Sequence, residues 1–328
     1  MTTVNTFTPR AAEARPLPWC SYPTAADVAR HGVQPLPDRL PLADFERVAP
    51  HRSRLHATHV IGDLPTERTL EMARVVAESF AHREPQCRYL RPASEPPAEL
   101  ASARHEDAFG AEAFGAWTTE RLLYWFIRLL ILTDPTSPRG AIRTKEDALA
   151  QSLVLVDEHG AVVGGAINET LAPHGADAEL RSGDPFLDAT LGFAAPIVEL
   201  LSAQDAEGVA ALSRDRAFRD AYERGLVGHH FMIARSDALA KNDTFELLAA
   251  TAERYRELGF RFFLIEATNQ WTGAACEALN GVRVHFAPFR ARTVVPASPV
   301  PLPGQTSSVD GYLSGKDSGS MLYVIRVA

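Results

Sequence analysis

The sequence predicts a mixed α/β domain built on one central sheet, and three observations predict it. Residues 152–171, SLVLVDEHGAVVGGAINETL, place two apolar runs around Asp157-Glu158-His159-Gly160, the pattern of a β-hairpin with a glycine-containing turn. Residues 244–258 have helical periodicity, stop at Gly259, and lead into FFLIEAT (262–268), which reads as a buried strand. Two more apolar runs, 282–295 and 320–328, close the chain as strands separated by a Gly/Ser/Pro loop.

The remaining elements fall between these. Residues 1–54 are rich in proline and arginine and read as an N-terminal arm, because Pro16, Pro18, Pro23, Pro35, Pro37 and Pro41 break regular structure. LHATHVI (55–61) has the look of a strand. Residues 66–82 place Leu70, Ala73, Val76, Ala77 and Phe80 on one helical face. Thr118 or Thr119 caps a helix running to about residue 132, ended by Asp134-Pro135. The insertion-like segment 172–227 is expected to hold two helices, near 195–201 and 214–224. HHFMIA (229–234) is a short strand, and 271–279 a short helix. The domain organisation expected is therefore an arm, 1–54, and one domain, 55–328, with an insertion at about 172–227.

Composition excludes several classes. With 328 residues, 46% hydrophobic and 23% charged, the chain is an ordinary globular protein able to bury a core without staples. Asp and Glu number 41 against 33 Lys and Arg, a net charge of -8 that makes nucleic acid a poor partner. Apart from Lys145, Lys241 and Lys316 the basic residues are arginines, scattered rather than clustered. Cys20, Cys87 and Cys276 form no CxxC or Cys/His ladder, so neither a disulfide scaffold nor a bound metal is expected. The first residues contain no apolar secretory core, and the longest apolar run, around Tyr124, Trp125 and Phe126, is broken by Arg128. The expectation is a cytoplasmic protein that spans no membrane.

The order strand, two helices, hairpin, strand, helix, strand, helix, two strands resembles the GCN5-related N-acetyltransferase (GNAT) superfamily over roughly residues 55–328. The hairpin SLVLVDEHGAVVGGAINET looks like that family's second and third strands, and FELLAATAERYRELGFRFFLIEATN (245–269) like its third helix and fifth strand. EATNQWTGAACEALNGVRV (266–284) is similar to the stretch that follows, and the helix ending SFAHREP (79–85) also fits. The long insertion and the split final hairpin are closest to the arylalkylamine-type layout. The resemblance implies a central mixed, mostly antiparallel sheet, flanked by helices and splayed between its fourth and fifth strands.

It also implies a thioester donor, acetyl-CoA or another acyl carrier. In the family a loop of pattern (Arg/Gln)-x-x-Gly-x-(Gly/Ala) holds the pyrophosphate at a helix N-terminus, where glycines let backbone N–H groups approach the phosphates. The matching positions here are Leu239, Ala240, Lys241, Asn242, Asp243 and Thr244, so the glycines are absent and Asp243 adds a negative charge. Lys241 is the favourable survivor, with Asn242 and Thr244 as the remaining loop contacts. Either coenzyme A binding is lost, or the acyl group arrives on a donor held less by pyrophosphate, such as the phosphopantetheine arm of an acyl-carrier protein.

Acyl transfer to an amine needs a base, a group that polarises the thioester carbonyl and an acid for the leaving thiolate. The resemblance assigns the carbonyl and pantetheine contacts to backbone at Met232, Ile233 and Ala234, with Asn269 touching the pantetheine arm or else capping the next helix. His230 falls at a proton-relay position of the fourth strand, whereas the other relay position is Gly228 and His229 points to the opposite face. Cys276 stands where many members carry a leaving-group tyrosine, and it reads either as an acid or nucleophile or as a small buried residue. Glu266 is an alternative base. Glu169 is another, and either one reads alternatively as an outward-facing solvated carboxylate, Glu169 the more readily. Tyr124, Phe126, His229 and Trp271 are expected to wall the acceptor pocket, unless the helical aromatics are simply core.

The sequence thus points to an N-acyltransferase acting on a small amine or amino-acid-derived acceptor in bacterial biosynthesis, as a monomer or a homodimer. The rival is a degenerate member that binds, scaffolds or catalyses different chemistry in the same cleft.

Overall fold

The computed structural model describes residues 32–49, 56–84, 118–132, 145–171, 200–236, 243–289 and 319–328. Its framework is the hairpin of β3 (Leu153–Asp157) and β4 (Val162–Thr170). The turn forms because Asp157 Oδ1 accepts from the backbone N–H groups of His159 and Ala161 at 2.9 and 2.8 Å, while Gly160 takes φ 81°. Around the hairpin the strands β1 (Gly32–Val33), β2 (His56–Val60), β5 (Val227–Arg235), β6 (Phe262–Ala267), β7 (Val282–Pro288) and β8 (Gly319–Arg326) complete one eight-stranded sheet. Its order is β1-β7-β8-β6-β5-β4-β3-β2, antiparallel everywhere except for the β5–β6 pair.

The helices are α1 (Phe45–Val48), α2 (Thr66–Arg83), α3 (Thr119–Leu132), α4 (Lys145–Gln151), α5 (200–212), α6 (Arg216–Glu223), α7 (Asp243–Glu257) and α8 (Gln270–Ala278). They cover both faces of the sheet. On one face α2 and α3 bury Met72, Val76, Leu123 and Ile127 against Val154, Ile167, Met232 and Ala234. On the same face α5 and α6 bury Leu212 and Phe218 against Val227, Phe262, Leu264 and Val324. On the other face α7 and α8 pack Leu248, Ala252, Tyr255 and Cys276 on Phe263, Ile265, Tyr323 and Ile325. Alternate residues of β6 therefore enter different cores, as a strand buried on both sides requires.

The mixed, mostly antiparallel sheet expected from the resemblance is present. The element limits agree with the sequence reading within a few residues, except that the strand expected over 282–295 ends at Pro288, with 290–295 outside the described residues, and three further differences stand out. The helix expected near 195–201 runs instead from 200 to 212 within the described residues, and the short helix α4 has no expected counterpart. Within the stretch read as an arm, Gly32–Val33 pairs with β7, and Leu40, Ala43 and Val48 are buried against the body. Among the described residues these apolar side chains and backbone bonds such as Gln34 N–H to the Val284 carbonyl and Ala43 N–H to the Arg326 carbonyl anchor it, while prolines at 35, 37 and 41 keep it irregular.

Candidate active site

β5 and β6 are parallel neighbours over only four residues, Val227–His230 against Phe262–Ile265. β5 then continues to Arg235 and β6 to Ala267 without pairing to each other. The splay expected between the family's fourth and fifth strands thus opens here after His230 and Ile265. Its cause lies in the register of β4 on β5. Ile167 faces Met232 but Asn168 faces His230, so Phe231 is an extra residue, a β-bulge that bends β5 away. The resulting V lies at the carboxyl ends of two parallel strands, where open sheets leave a crevice. The end of α2 is bonded to both arms: Arg83 Nη1 donates to the Arg235 carbonyl at 3.3 Å, and Thr268 Oγ1 donates to Glu84 Oε2 at 2.7 Å.

At the apex, on the face covered by α5, stands a buried polar cluster. His229 Nδ1 lies 2.6 Å from Glu169 Oε1, and His229 Nε2 lies 3.0 Å from both Glu266 oxygens and 3.6 Å from Asp205 Oδ2. All four residues are buried. Three elements converge to make it: Glu169 is the cross-strand partner of His229, Glu266 comes from β6, and Asp205 descends from α5. Carboxylates at both ring nitrogens stabilise a proton on each. Burial alone raises the Glu266 carboxyl. The charge of His229, its hydrogen bond and one from Asp205 outweigh burial and leave that carboxyl below its ordinary value.

Among the sequence candidates, His229 and Glu266 are brought together here. Glu169 corrects the expectation of a solvated side chain: it is buried and directly bonded to His229, because β4 is an interior strand covered on both faces. Asp205 was missed altogether, since a lone acid in an insertion gives no local signal of a site 24 residues upstream of its partner His229.

His230 projects from the opposite face. Its Nδ1 lies 2.6 Å from Asn168 Oδ1, whose amide nitrogen donates to the Gln151 carbonyl at 2.8 Å, so the proton sits on His230 Nδ1. It is 1% exposed, and burial together with the nearby His229 charge pushes it down to about 3. Cys276 is 0% exposed in the core under α8, among residues of β6 and β8. Asn269 caps α8, its Oδ1 accepting from the N–H groups of Trp271 and Thr272 at 3.1 and 3.0 Å. Trp271 is half-buried at the same helix start.

Met232 and Ala234 turn into the core beneath α2 and α3, while Ile233 packs toward α7. Tyr124 and Phe126 are buried on α3, and the Phe126 ring lies 6.1 Å from Phe231, which in turn lies edge-on to His229 at 5.7 Å. An aromatic wall therefore leads from α3 through the bulge to the cluster. Lys241 and Asn242 lie outside the described residues, and Thr244 is half-buried in the first turn of α7.

No family model and no curated protein sequence matches the chain. Solved structures do. In fold the chain is similar to GNAT acetyltransferases. Arylalkylamine N-acetyltransferase 2 from Aedes aegypti is 11% identical, with a TM-score of 0.43 over 83% of this chain and 99% of that one. The C-terminal condensation domain of Ebony, solved with beta-alanyl-dopamine, is 13% identical with a TM-score of 0.44 over 83% and 99%. Ribosomal-protein-S5-alanine acetyltransferase from Vibrio fischeri is 11% identical with a TM-score of 0.37 over 84% and 94%. Among the described residues no helix is long and apolar enough to cross a membrane.

Proposed function

We propose that the chain is an N-acyltransferase that moves an acyl group from a thioester donor to a small amine. The observation that carries this reading is the parting of β5 and β6 at His230–Ile265, with His229 and Glu266 at its apex. A V between parallel strands accepts an extended thioester arm, and the backbone of Met232, Ile233 and Ala234 runs along one side of it. The acceptor ammonium comes to the α5 face along Phe126 and Phe231, toward the carboxylates.

The ammonium gives one proton to the cluster through Glu266, the free amine forms a C–N bond at the thioester carbon, and the C–S bond breaks. The second nitrogen proton leaves with the thiolate as a thiol. His229 suits proton transfer because it is protonated and bonded at both nitrogens: a proton that reaches Glu266 is matched by the Nδ1 proton passing to Glu169, while Nε2 keeps its own. Glu169 and Tyr255 act as positioning residues, since the Tyr255 hydroxyl lies within 2.8 and 3.0 Å of the His229 and Glu169 carbonyls.

His230, neutral with its proton committed to Asn168, is assigned to structure rather than to proton transfer, and Cys276 is assigned to packing. The loss of glycines in the loop before α7 favours a donor held by its pantetheine arm, on a carrier protein or as an acyl-CoA bound without a tight pyrophosphate cradle. The test is thiol release from acetyl-CoA and from an acylated carrier protein across a panel of amines. Release that depends on the amine supports the reading. Absence of release with every donor and amine would leave the cleft to the rival, a binding protein.

A further inference from the structure

We propose that Asp205, His229 and Glu266 form a binding site for one divalent transition-metal ion of the zinc, cobalt or manganese type. The ligand atoms come from α5, β5 and β6 and all lie within 4.8 Å of one another. Two ligands about 2.1 Å from an ion, at ordinary coordination angles, are about 3.0 to 3.4 Å apart. The observed spacings from His229 Nε2 are 3.0 Å to Glu266 and 3.6 Å to Asp205, so these two pairs suit a shared ion with a contraction of a few tenths of an ångström on the Asp205 side.

Three further features favour an ion. Glu169 binds the far nitrogen of His229 at 2.6 Å, and a carboxylate behind the imidazole keeps a proton on Nδ1 while the ion displaces the one that Nε2 shares with Glu266. Three buried carboxylates surround one imidazole, a surplus of negative charge that a dication offsets. Two more oxygens in the same layer, Gln204 Oε1 and Ser320 Oγ, are buried without a hydrogen-bond partner among the described residues. Gln204 precedes Asp205 on α5 and donates to the Ser320 carbonyl at 2.8 Å, while Ser320 lies on the sheet face of Glu266, two residues from its cross-strand partner Leu322. Each keeps an unused acceptor for a buried water or a metal-bound water.

The nitrogen ligand selects transition metals over magnesium and calcium, which prefer oxygen alone. A metal and a proton compete for the same Nε2 lone pair, so the ion would inhibit acyl transfer. That consequence rests on the proposed function, whereas binding itself does not.

The test uses the full chain and reads binding without activity. Metal-stripped protein is titrated with Co2+ while its visible absorption is followed, and then with Zn2+ and Mg2+ as competitors. We expect one Co2+ per chain, with ligand-field bands abolished by Zn2+ and untouched by Mg2+. Asp205→Asn and Glu266→Gln should each weaken binding at least tenfold, and Glu169→Gln about 10- to 100-fold. His159→Ala, an exposed histidine of the hairpin, should leave it unchanged. No bands in the folded wild-type protein would overturn the proposal without reference to any variant. Equal affinity in folded Asp205→Asn and Glu266→Gln would overturn it as well. A metal-binding protein with no thiol release would keep this site and sink only the acyltransferase reading.

Discussion

His229 and Glu169 face each other across the β4–β5 pair and are joined side chain to side chain at 2.6 Å. The next residue, His230, turns to the other face and bonds Asn168 instead. Two consecutive histidines thus occupy opposite environments, one among carboxylates and one in a neutral amide network. Strand alternation produces the division, and the proposed function places proton transfer with His229 and leaves His230 to structure.

Tyr255→Phe should separate positioning from chemistry. The hydroxyl joins the carbonyls of Glu169 and His229 and receives the Glu169 N–H at 3.2 Å, so it pins both strands beside the cluster. Its loss leaves buried backbone groups short of a partner, at about 1–3 kcal/mol. Urea unfolding should show that loss in the folded variant, with a lower kcat and little change in KM. Unaltered stability would contradict the pinning role.

Gly228 is the small residue that lets Tyr255 reach this position, since an added Cβ would collide with the Tyr255 ring. Gly228→Ala should therefore destabilise the fold by about 1–3 kcal/mol through overpacking. The double variant Gly228→Ala/Tyr255→Leu should lose less than the sum of the single changes. Additive losses would show that the two residues are not in conflict.

His230 makes a pH prediction with a definite sign. Its folded value is lowered to about 3 from 6.5, so below the unfolded value the unfolded chain binds more protons than the folded one. Stability should then fall as pH drops from about 6.5 toward about 3, by up to about 1.4 kcal/mol per pH unit from this residue. Comparing unfolding of wild type and His230→Gln from pH 8 to pH 4 reads the difference. Parallel pH profiles would contradict the assignment.

Cys276 should resist thiol reagents in the native protein, because it is fully buried in an apolar core. Cys276→Ala should keep most of the activity and lose some stability. Rapid labelling under native conditions, or loss of turnover in a stably folded variant, would restore a chemical role.

The fold was legible in the sequence where periodicity was strong. The hairpin announced itself through Asp157 and Gly160, and α7 through its apolar face and the stop at Gly259, which takes φ 84°. The site was only half legible. His229 was read as a pocket wall and Glu266 as an alternative base, with His230 at the relay position, while Asp205 could not be read at all, because its relation to them is made by the packing of α5 and not by spacing. Glu169 was misjudged for a different reason. Its strand is covered on both faces, and a polar residue at a fully buried strand position carries no mark in the local pattern. The bulge at Phe231 was equally silent, since it arises from the register between two strands.

The most direct measurement is amine-dependent thiol release by wild type, His229→Gln and His230→Gln, with acetyl-CoA and with an acylated carrier protein as donors. We expect turnover with at least one donor, a loss of about 10²–10⁴-fold in His229→Gln, and a far smaller change in His230→Gln. Turnover that survives in His229→Gln but disappears in a folded His230→Gln would contradict it.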